Sequence, residues 1–137
     1  MLDQTDLEIL ALLQADARMQ HKAIGEAVHL TGQAVANRIA LMKAEGILRG
    51  YTAVVDDAAL GIGLTAYVTV FLKSNEHREF QAFLRAQACV REAHRTSGEG
   101  CYMLMLKLPG NAELDAFLDQ LTPYGRYRLA TSVSRVK

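Results

Sequence analysis

Two amide side chains, Gln33 and Asn37, carry the most specific binding chemistry in this sequence. They are four positions apart, so in a helix they lie one turn apart on the same face. Gln and Asn amides can form paired hydrogen bonds with adenine in the major groove of DNA. Taken alone, the two residues favour the ordinary interpretation of an exposed polar surface, and only a surrounding DNA-binding motif would reverse it. The surrounding elements must decide between these two interpretations.

The segment from Gln20 to Gly46 predicts two short helices joined by a tight turn at residues 29–31. The first of the two spans His21 to Val28, and His29 is expected at positive φ, which His adopts more often than most residues. Thr31 is a suitable N-cap for the second, which should end near Glu45, before Gly46. The residues expected to face inward are Ile24, Ala27 and Val28, then Val35, Ile39 and Met42.

An additional helix is predicted at the N-terminus of the chain. Asp3 can cap it, Asp6 favours the positive end of its dipole, and Leu2 and Leu7 are spaced as a hydrophobic staple. It should end near Asp16, and its apolar stripe is Leu7, Ile9, Leu10 and Leu13. Three short helices with a tight turn before the last predict a helix-turn-helix.

Several side chains around this motif are candidates for contacts with the DNA backbone. The N-terminus of the third helix, capped by Thr31, offers free N–H groups to a phosphate. Arg38 has two alternative roles, a phosphate contact or an internal ion pair with Glu8 or Asp16. The other candidates for backbone contact are Arg18, His21, Lys22 and Lys43.

The charge balance limits how strongly one copy can bind nucleic acid. The 137 residues include 15 basic and 15 acidic ones, for a net charge of zero, so bulk charge alone would not hold the chain on DNA. Residues 1–50 contain five basic and six acidic residues. Affinity rises steeply with the number of phosphate contacts. We therefore expect DNA binding to depend on assembly, which multiplies the binding units.

Composition also indicates the broad class of the protein. Half of the residues are hydrophobic, yet no run approaches the ~20 apolar residues of a membrane span. The acidic N-terminus is unlike a signal peptide, which predicts a cytoplasmic protein without a membrane partner. Cys89 and Cys101 match no metal-binding spacing and the four His residues are scattered. We expect reduced structural thiols, no metal site and no cofactor.

From Ile47 the pattern alternates, which predicts a strand to Val55 that leads out of the helical part. The predicted boundaries are a helix-turn-helix domain at 1–48, a strand hinge at 49–61 and a second domain at 62–137. The second domain is predicted as βαββαβ, a unit that forms one antiparallel sheet with both helices on one face. Its elements are strands 64–74, 90–97, 101–108 and 126–136, a helix carrying Phe80, Phe83 and Leu84, and a helix capped by Asn111 that carries Leu114, Phe117, Leu118 and Leu121.

The first strand of this domain is apolar on both faces. Ala66, Val68, Val70 and Leu72 form one face, and the other carries Thr65, Tyr67, Thr69 and Phe71. A sheet with one solvated face normally alternates with polar residues. We therefore expect a second copy to cover this face in a symmetric homodimer, which would also present two recognition helices to one face of the DNA.

Four stretches together resemble the Lrp/AsnC (feast/famine) family of transcription regulators, over essentially the whole chain. They are LDQTDLEILALLQADAR at 2–18, LTGQAVANRIALMKAEGIL at 30–48, GYTAVVD at 50–56 and TSGEGCYMLMLK at 96–107. The GxxCYML form is most similar to the LrpC-like branch. The resemblance implies an α+β chain with an N-terminal winged-type helix-turn-helix, a strand hinge and a ferredoxin-like domain. It further implies dimers, often assembled into octamers, and an amino acid effector bound near the loop between the second and third strands.

The sequence differs from the family pattern at three positions. Gln20 replaces a capping Ser, Leu41 replaces a basic residue, and Cys101 stands where an Asp is common. Gly98 and Gly100 could offer N–H groups to an effector carboxylate and Glu99 could contact its amine, with Thr122 and Thr131 as walls. The alternative is a plain hairpin turn in which the glycines serve only chain reversal.

These observations predict a regulator that prefers certain double-stranded DNA sequences and responds to a small amino acid. The alternative within the same family is an architectural DNA-wrapping protein that senses no effector. A ferredoxin-like domain can also support an enzyme. The sequence has no nucleophile–base pair, paired carboxylates or cofactor fingerprint, so we predict that the chain is not an enzyme.

Overall fold

The computed structural model describes residues 1–137, which form two compact units, Met1–Val54 and Val55–Lys137. None of its helices is both long and apolar enough to span a bilayer. The N-terminal unit has three helices, α1 (Gln4–Ala15), α2 (His21–Val28) and α3 (Gly32–Ala44). Its buried core consists of Ile9, Leu13, Ile24, Val35, Ile39 and Met42.

The start of α1 forms as predicted around Asp3. The Asp3 carboxylate accepts a 2.8 Å hydrogen bond from the Asp6 N–H, and the Asp6 carboxylate accepts a 3.0 Å bond from the Asp3 N–H. This reciprocal pair is a capping box. Leu7, which was predicted to belong to the apolar stripe of this helix, is 50% exposed. Leu7 lies about 200° around the helix axis from Ile9, which faces the core.

Helix α2 has the predicted ends but a different buried face. Gly25 is buried beside Ile24, whereas Ala27, predicted to face inward, is exposed. Gly25 is covered by the chain that leaves the helix, because the Leu30 N–H returns to the Gly25 carbonyl at 2.8 Å. His29 takes the left-handed conformation with φ 59°, as predicted.

The strand predicted from Ile47 to Val55 is absent. These residues have no regular secondary structure and pair with no other strand of the chain. A strand requires a neighbouring strand for its backbone hydrogen bonds, and alternation of residue types cannot provide one. A short 3₁₀ helix follows at Ala58–Leu60 and ends at Gly61, where φ is 75°.

The C-terminal unit confirms the predicted βαββαβ order. It comprises β1 (Leu64–Leu72), α4 (His77–Ala86), β2 (Val90–Arg95), β3 (Tyr102–Leu108), α5 (Asn111–Leu121), a 3₁₀ helix (Thr122–Tyr124) and β4 (Gly125–Thr131). The antiparallel sheet has the order β2-β3-β1-β4, which is the ferredoxin-like arrangement.

Two details of this unit differ from the predictions. Strand β4 ends at Thr131 instead of Val136, because β1 pairs with it only as far as the Ala66–Thr131 position. The N-cap of α5 is Gly110, and Asn111 is the first helical residue with no capping hydrogen bond from its side chain. The Asn111 side chain is therefore one position too late to accept from the N–H groups of the first turn.

Both helices cover the same face of the sheet. Phe80 and Leu84 of α4 and Phe117 of α5 join the buried residues of β1 and β3 in one cluster. The opposite face, which we call the open face, has no covering element in the chain. Tyr67 and Met103 on this face are 45% and 50% exposed. The expected arrangement of one covered and one bare sheet face is therefore present.

Candidate nucleic-acid interface and ligand-binding turn

The side chains of Gln33 and Asn37 lie together on the exposed surface of α3. The Gln33 Nε2 donates a 2.9 Å hydrogen bond to the Asn37 Oδ1. This leaves the Gln33 carbonyl oxygen as an acceptor and the Asn37 amide nitrogen as a donor. Adenine presents the complementary pair in the major groove, a donor at N6 and an acceptor at N7. The two residues therefore form a small preorganised surface suited to an adenine edge.

The N-terminus of α3, which lies next to this pair, has backbone N–H groups that are free to bind a ligand. The Thr31 hydroxyl oxygen accepts from the Ala34 N–H at 3.1 Å, while the N–H groups of Gly32 and Gln33 have no acceptor within the chain. A Cβ on Gly32 would lie 3.3 Å from the Lys22 backbone nitrogen, so α2 begins directly against the start of α3. Two positive helix ends therefore meet at one place, next to the exposed side chains of His21 and Lys22.

The remaining basic candidates are placed differently. Arg18 is exposed in the turn after α1, where its N–H donates to the Asp16 carboxylate at 2.9 Å. Lys43 lies ten residues after Gln33, about 15 Å further along the helix axis. Its Nζ stands 4.9 Å from the centre of the Tyr51 ring in a cation–π contact. Arg18 thus lies in the turn that precedes α2, and Lys43 lies near the end of α3 opposite to Thr31.

Arg38 forms internal ion pairs instead of projecting from the surface. Its Nη1 lies 2.7 Å from the Asp3 carboxylate and 2.8 Å from that of Asp6. The structure therefore selects the internal alternative, with Asp3 and Asp6 as partners in place of Glu8 or Asp16. The hydrogen bond from Arg38, followed by that from the Asp6 N–H, lowers the pKa of Asp3 below its ordinary 3.8. These contacts fasten α3 to the start of α1.

Sequence reasoning missed the importance of Gly25. A Cβ at this position would lie 2.4 Å from the carbonyl oxygen of Leu30 and 3.2 Å from the backbone of Thr31. Only a glycine allows the turn to pass this close to α2, and that passage brings Gly32, the first residue of α3, against Lys22. A glycine inside a short helix was the available signal, since glycine there is unfavourable without a packing reason.

The turn between β2 and β3 is fastened to the centre of the sheet. The Cys101 N–H donates to the Val70 carbonyl at 2.7 Å. Gly98 and Gly100 have φ values of 90° and 88°, and a Cβ on Gly100 would lie 2.5 Å from the Thr69 side chain. The N–H groups of Gly98, Glu99 and Gly100 have no acceptor within the chain. The turn can therefore offer these N–H groups to an anion.

The other residues predicted to bind an effector are not gathered around this turn. The Glu99 carboxylate pairs with Arg128 on β4 at 2.8 Å. The Thr122 hydroxyl donates to the Leu118 carbonyl at the end of α5. Thr131 pairs with Ala66, whereas the turn is fastened at Val70, about 13 Å away along β1. Within one chain, the structure thus brings together Gly98, Glu99, Gly100 and Cys101 but not the two threonines.

The two cysteines are free thiols, each half-buried in the C-terminal unit. Burial raises the pKa of the Cys89 thiol above its ordinary value of 9.0, which disfavours the reactive thiolate. No group of three or more His, Cys, Asp or Glu side chains is arranged to hold a metal ion.

Comparison with known proteins matches both units. Residues 2–43 match the AsnC-type helix-turn-helix domain and residues 65–137 match the Lrp/AsnC ligand binding domain. The transcriptional regulator LrpB of Bacillus subtilis is 40% identical, over 99% of this chain and 91% of its own length. The structure of B. subtilis LrpC superposes with a TM-score of 0.94 at 25% identity, over 100% of this chain and 98% of that one.

A second solved structure is similar to the same degree. It is the complex of the transcriptional regulator NMB0573 from Neisseria meningitidis with L-Met. The TM-score is 0.93 and the identity 26%, over 100% of this chain and 93% of that one.

Proposed function

The chain belongs to the Lrp/AsnC family of DNA-binding transcriptional regulators, and we propose that it recognises preferred duplex sequences through α3 as a homo-oligomer. Members of this family are regulators and not enzymes. The specific proposal is a homodimer that assembles further, to an octamer, and whose DNA binding responds to a small amino acid.

The Gln33–Asn37 pair is the observation that carries this proposal. Its free acceptor and donor lie on an exposed helix face, next to a helix N-terminus with free N–H groups. We assign base recognition to these two amides. His21, Lys22 and the N–H groups after Thr31 contact phosphates and fix the register of α3 on the duplex. Arg18 and Lys43 contact phosphates on either side, whereas Arg38 supports the helix from within.

The open face of the sheet is the feature that supports assembly. Tyr67 and Met103 are large apolar side chains that remain half exposed on a face no element of the chain covers. A second copy placed on this face would bury them. A dimer also doubles the few phosphate contacts available to a unit with five basic and six acidic residues.

The turn at residues 97–101 is the proposed effector site. Its free N–H groups suit a carboxylate, and Glu99 suits an ammonium group once Arg128 releases it. The L-Met complex of the similar Neisseria regulator supports an amino acid as the ligand class. The competing proposal is an architectural protein without an effector. The tight packing of Gly100 on Thr69 supports it, because it gives the glycine a structural purpose.

Selection from a library of randomised duplexes, using the intact protein, tests the recognition proposal. We expect an enriched motif. Replacing Asn37 with Ala should relax the preference at one or two base pairs, at a cost of about 1–3 kcal/mol per lost contact. Replacing Lys22 with Ala should instead weaken binding to all sequences alike and reduce its salt dependence. Glu26→Ala, an exposed change elsewhere on α2, serves as the control. An unchanged motif with Asn37→Ala would refute base recognition by this residue.

Calorimetry with a panel of amino acids that includes L-methionine tests the effector. A heat of binding that the native protein gives and the Gly98→Ala variant does not would support the turn as the site. Absence of heat with every amino acid, together with long, phased protection of DNA, would favour the architectural protein.

A further inference from the structure

A cavity of about 380 Å³ lies between α4 and the edge strand β2, on the covered side of the sheet. We propose that it binds a small carboxylate with a short apolar chain and no ammonium group, such as a branched 2-oxo acid. The site differs from the turn at 97–101, none of whose residues lines the cavity. The residues that carry the proposal are Gln81, Leu84, Arg85, Val90, Arg95 and Tyr102.

Two unpaired cations stand at this cavity. Arg85 projects from α4 and Arg95 from β2, and neither has a carboxylate within ion-pair distance. No Asp or Glu lines the cavity. Glu92, the acidic residue of β2, pairs with Met105 across the sheet and therefore points to the open face, where it contacts His94. A guanidinium fork matches the two oxygens of a carboxylate, so the cavity favours an anion of this shape.

A chain of hydrogen bonds fixes the polar wall in advance. The Arg85 Nη2 donates to the Gln81 Oε1 at 3.3 Å, and the Gln81 Nε2 donates to the Tyr102 hydroxyl at 2.9 Å. The hydroxyl in turn lies 2.9 Å from the His77 Nδ1, and Tyr102 is only 2% exposed. Arg85 keeps further N–H donors for a ligand. A wall arranged before binding reduces the entropy lost on binding.

The remaining lining determines which carboxylate fits. Leu84 and Val90 give the cavity an apolar floor, which suits a short branched chain. An amino acid would bring an ammonium group next to Arg85 and Arg95, with no carboxylate to receive it. Like charges placed close together repel, and two arginines would both oppose the ammonium group. The cavity should therefore select the oxo acid over the amino acid with the same carbon skeleton.

The test compares 4-methyl-2-oxopentanoate with L-leucine by calorimetry on the intact protein. We expect binding of the oxo acid and at least about tenfold weaker binding of leucine, the loss that corresponds to one charge-assisted contact. Arg85→Gln and Arg95→Gln should each weaken the oxo acid about tenfold or more. Arg78→Gln is the matched control, since Arg78 is exposed on the same helix and does not line the cavity.

Other outcomes overturn the proposal. The proposal is wrong if calorimetry detects no heat of binding with the oxo acid, or if leucine or inorganic phosphate binds with the same affinity as the oxo acid. It is also wrong if both arginine variants bind the oxo acid with full affinity. Chemical shifts of the Tyr102 ring and the Gln81 side-chain amide, followed during the titration, locate the ligand independently of affinity. DNA binding is measured on the same variants and should be unchanged without ligand, so failure here leaves the proposed recognition by α3 intact.

Discussion

Arg38 lies directly after Asn37 on α3, and its guanidinium contacts the carboxylates of Asp3 and Asp6. The hydrogen bonds that Arg38 donates to Asp6 and Asp3 raise the pKa of Arg38 further, so it stays charged. One basic side chain of the recognition helix therefore stabilises the position of that helix on α1. Neighbouring residues on one helix thus differ in their surroundings, since Asn37 is exposed and Arg38 is paired with α1.

We predict that acid weakens the folded protein partly through Asp3. Its folded-state pKa lies below the ordinary 3.8 because Arg38 donates to it. Over this range the unfolded chain binds more protons, so stability is fully present above pH 3.8 and is lost as the pH falls through the folded-state value. Urea unfolding of the native protein and Arg38→Gln, followed by far-UV circular dichroism at about pH 5 and about pH 3, measures this contribution.

The Arg38→Gln variant should lose less stability between these two pH values than the native protein. Asp57, whose pKa is lowered chiefly by its hydrogen bond from Lys107, is retained in both proteins and contributes equally. Arg18→Gln is the control, because Arg18 forms no ion pair. Equal pH dependence in all three proteins would contradict the assigned role of Arg38.

His29 also offers a prediction at a single residue. It adopts φ 59° and ψ 40° and is exposed, and its side chain forms no hydrogen bond. The left-handed conformation costs a residue with a Cβ about 1–2 kcal/mol, so His29→Gly should stabilise the N-terminal unit by up to about 1 kcal/mol. Thermal unfolding measures this change, and a lower melting temperature would contradict it.

At the scale of elements, the turn between α2 and α3 depends on how closely two backbones approach. The Leu30 carbonyl passes over Gly25 where no Cβ can fit. The same passage leads the chain to Thr31 and places the start of α3 against Lys22. The N-terminal ends of the two helices therefore meet because Gly25 lets the turn pass this close.

Gly25→Ala should destabilise the N-terminal unit by about 1–3 kcal/mol, the usual cost of overpacking. Gly50→Ala is the matched control, since a Cβ there has no neighbour within 4 Å. Hydrogen exchange of the amides of α2 and α3 measures the effect for this unit separately from the C-terminal one. Equal protection of these amides in the two variants would show that the turn accommodates a Cβ at residue 25 with no loss of stability.

At the scale of the whole molecule, each of the two units has a feature that a second copy of the chain would complement. The N-terminal unit has an AsnC-type helix-turn-helix but no excess of positive charge, and the C-terminal unit has a bare sheet face with exposed Tyr67 and Met103. In the proposed dimer, a second copy on that face would bury the apolar side chains and would join two helix-turn-helix units. Residues 47–55 pair with no strand of this chain, and the boundary between the two units lies within this segment, after Val54.

We predict that Met103→Glu yields monomers and weakens DNA binding at least about tenfold, since the second recognition unit no longer adds to the first. Light scattering gives the mass, and fluorescence anisotropy with a duplex gives the affinity. Ala82→Glu makes the same single-charge change at an exposed position on α4 and should retain both properties. A monomeric Met103→Glu protein with full DNA affinity would separate binding from assembly.

The sequence alone determined what depends on neighbours in the chain. The three N-terminal helices, the turn at His29, the cap at Thr31 and the βαββαβ order all follow from local periodicity, capping and turn chemistry, and the structure contains them. The family could be recognised for the same reason, because its motifs are short stretches at fixed spacing.

Only the tertiary structure decided what depends on residues distant in the sequence. The partners of Arg38 lie 32 and 35 positions away, and no spacing rule selects Asp3 and Asp6 over Glu8 or Asp16. The separation of Thr131 from the turn at 97–101 follows from the register of β4 on β1. The missing strand at 47–55 shows the same limit. A strand pattern specifies which side chains alternate, but backbone hydrogen bonds require a partner that the pattern does not contain.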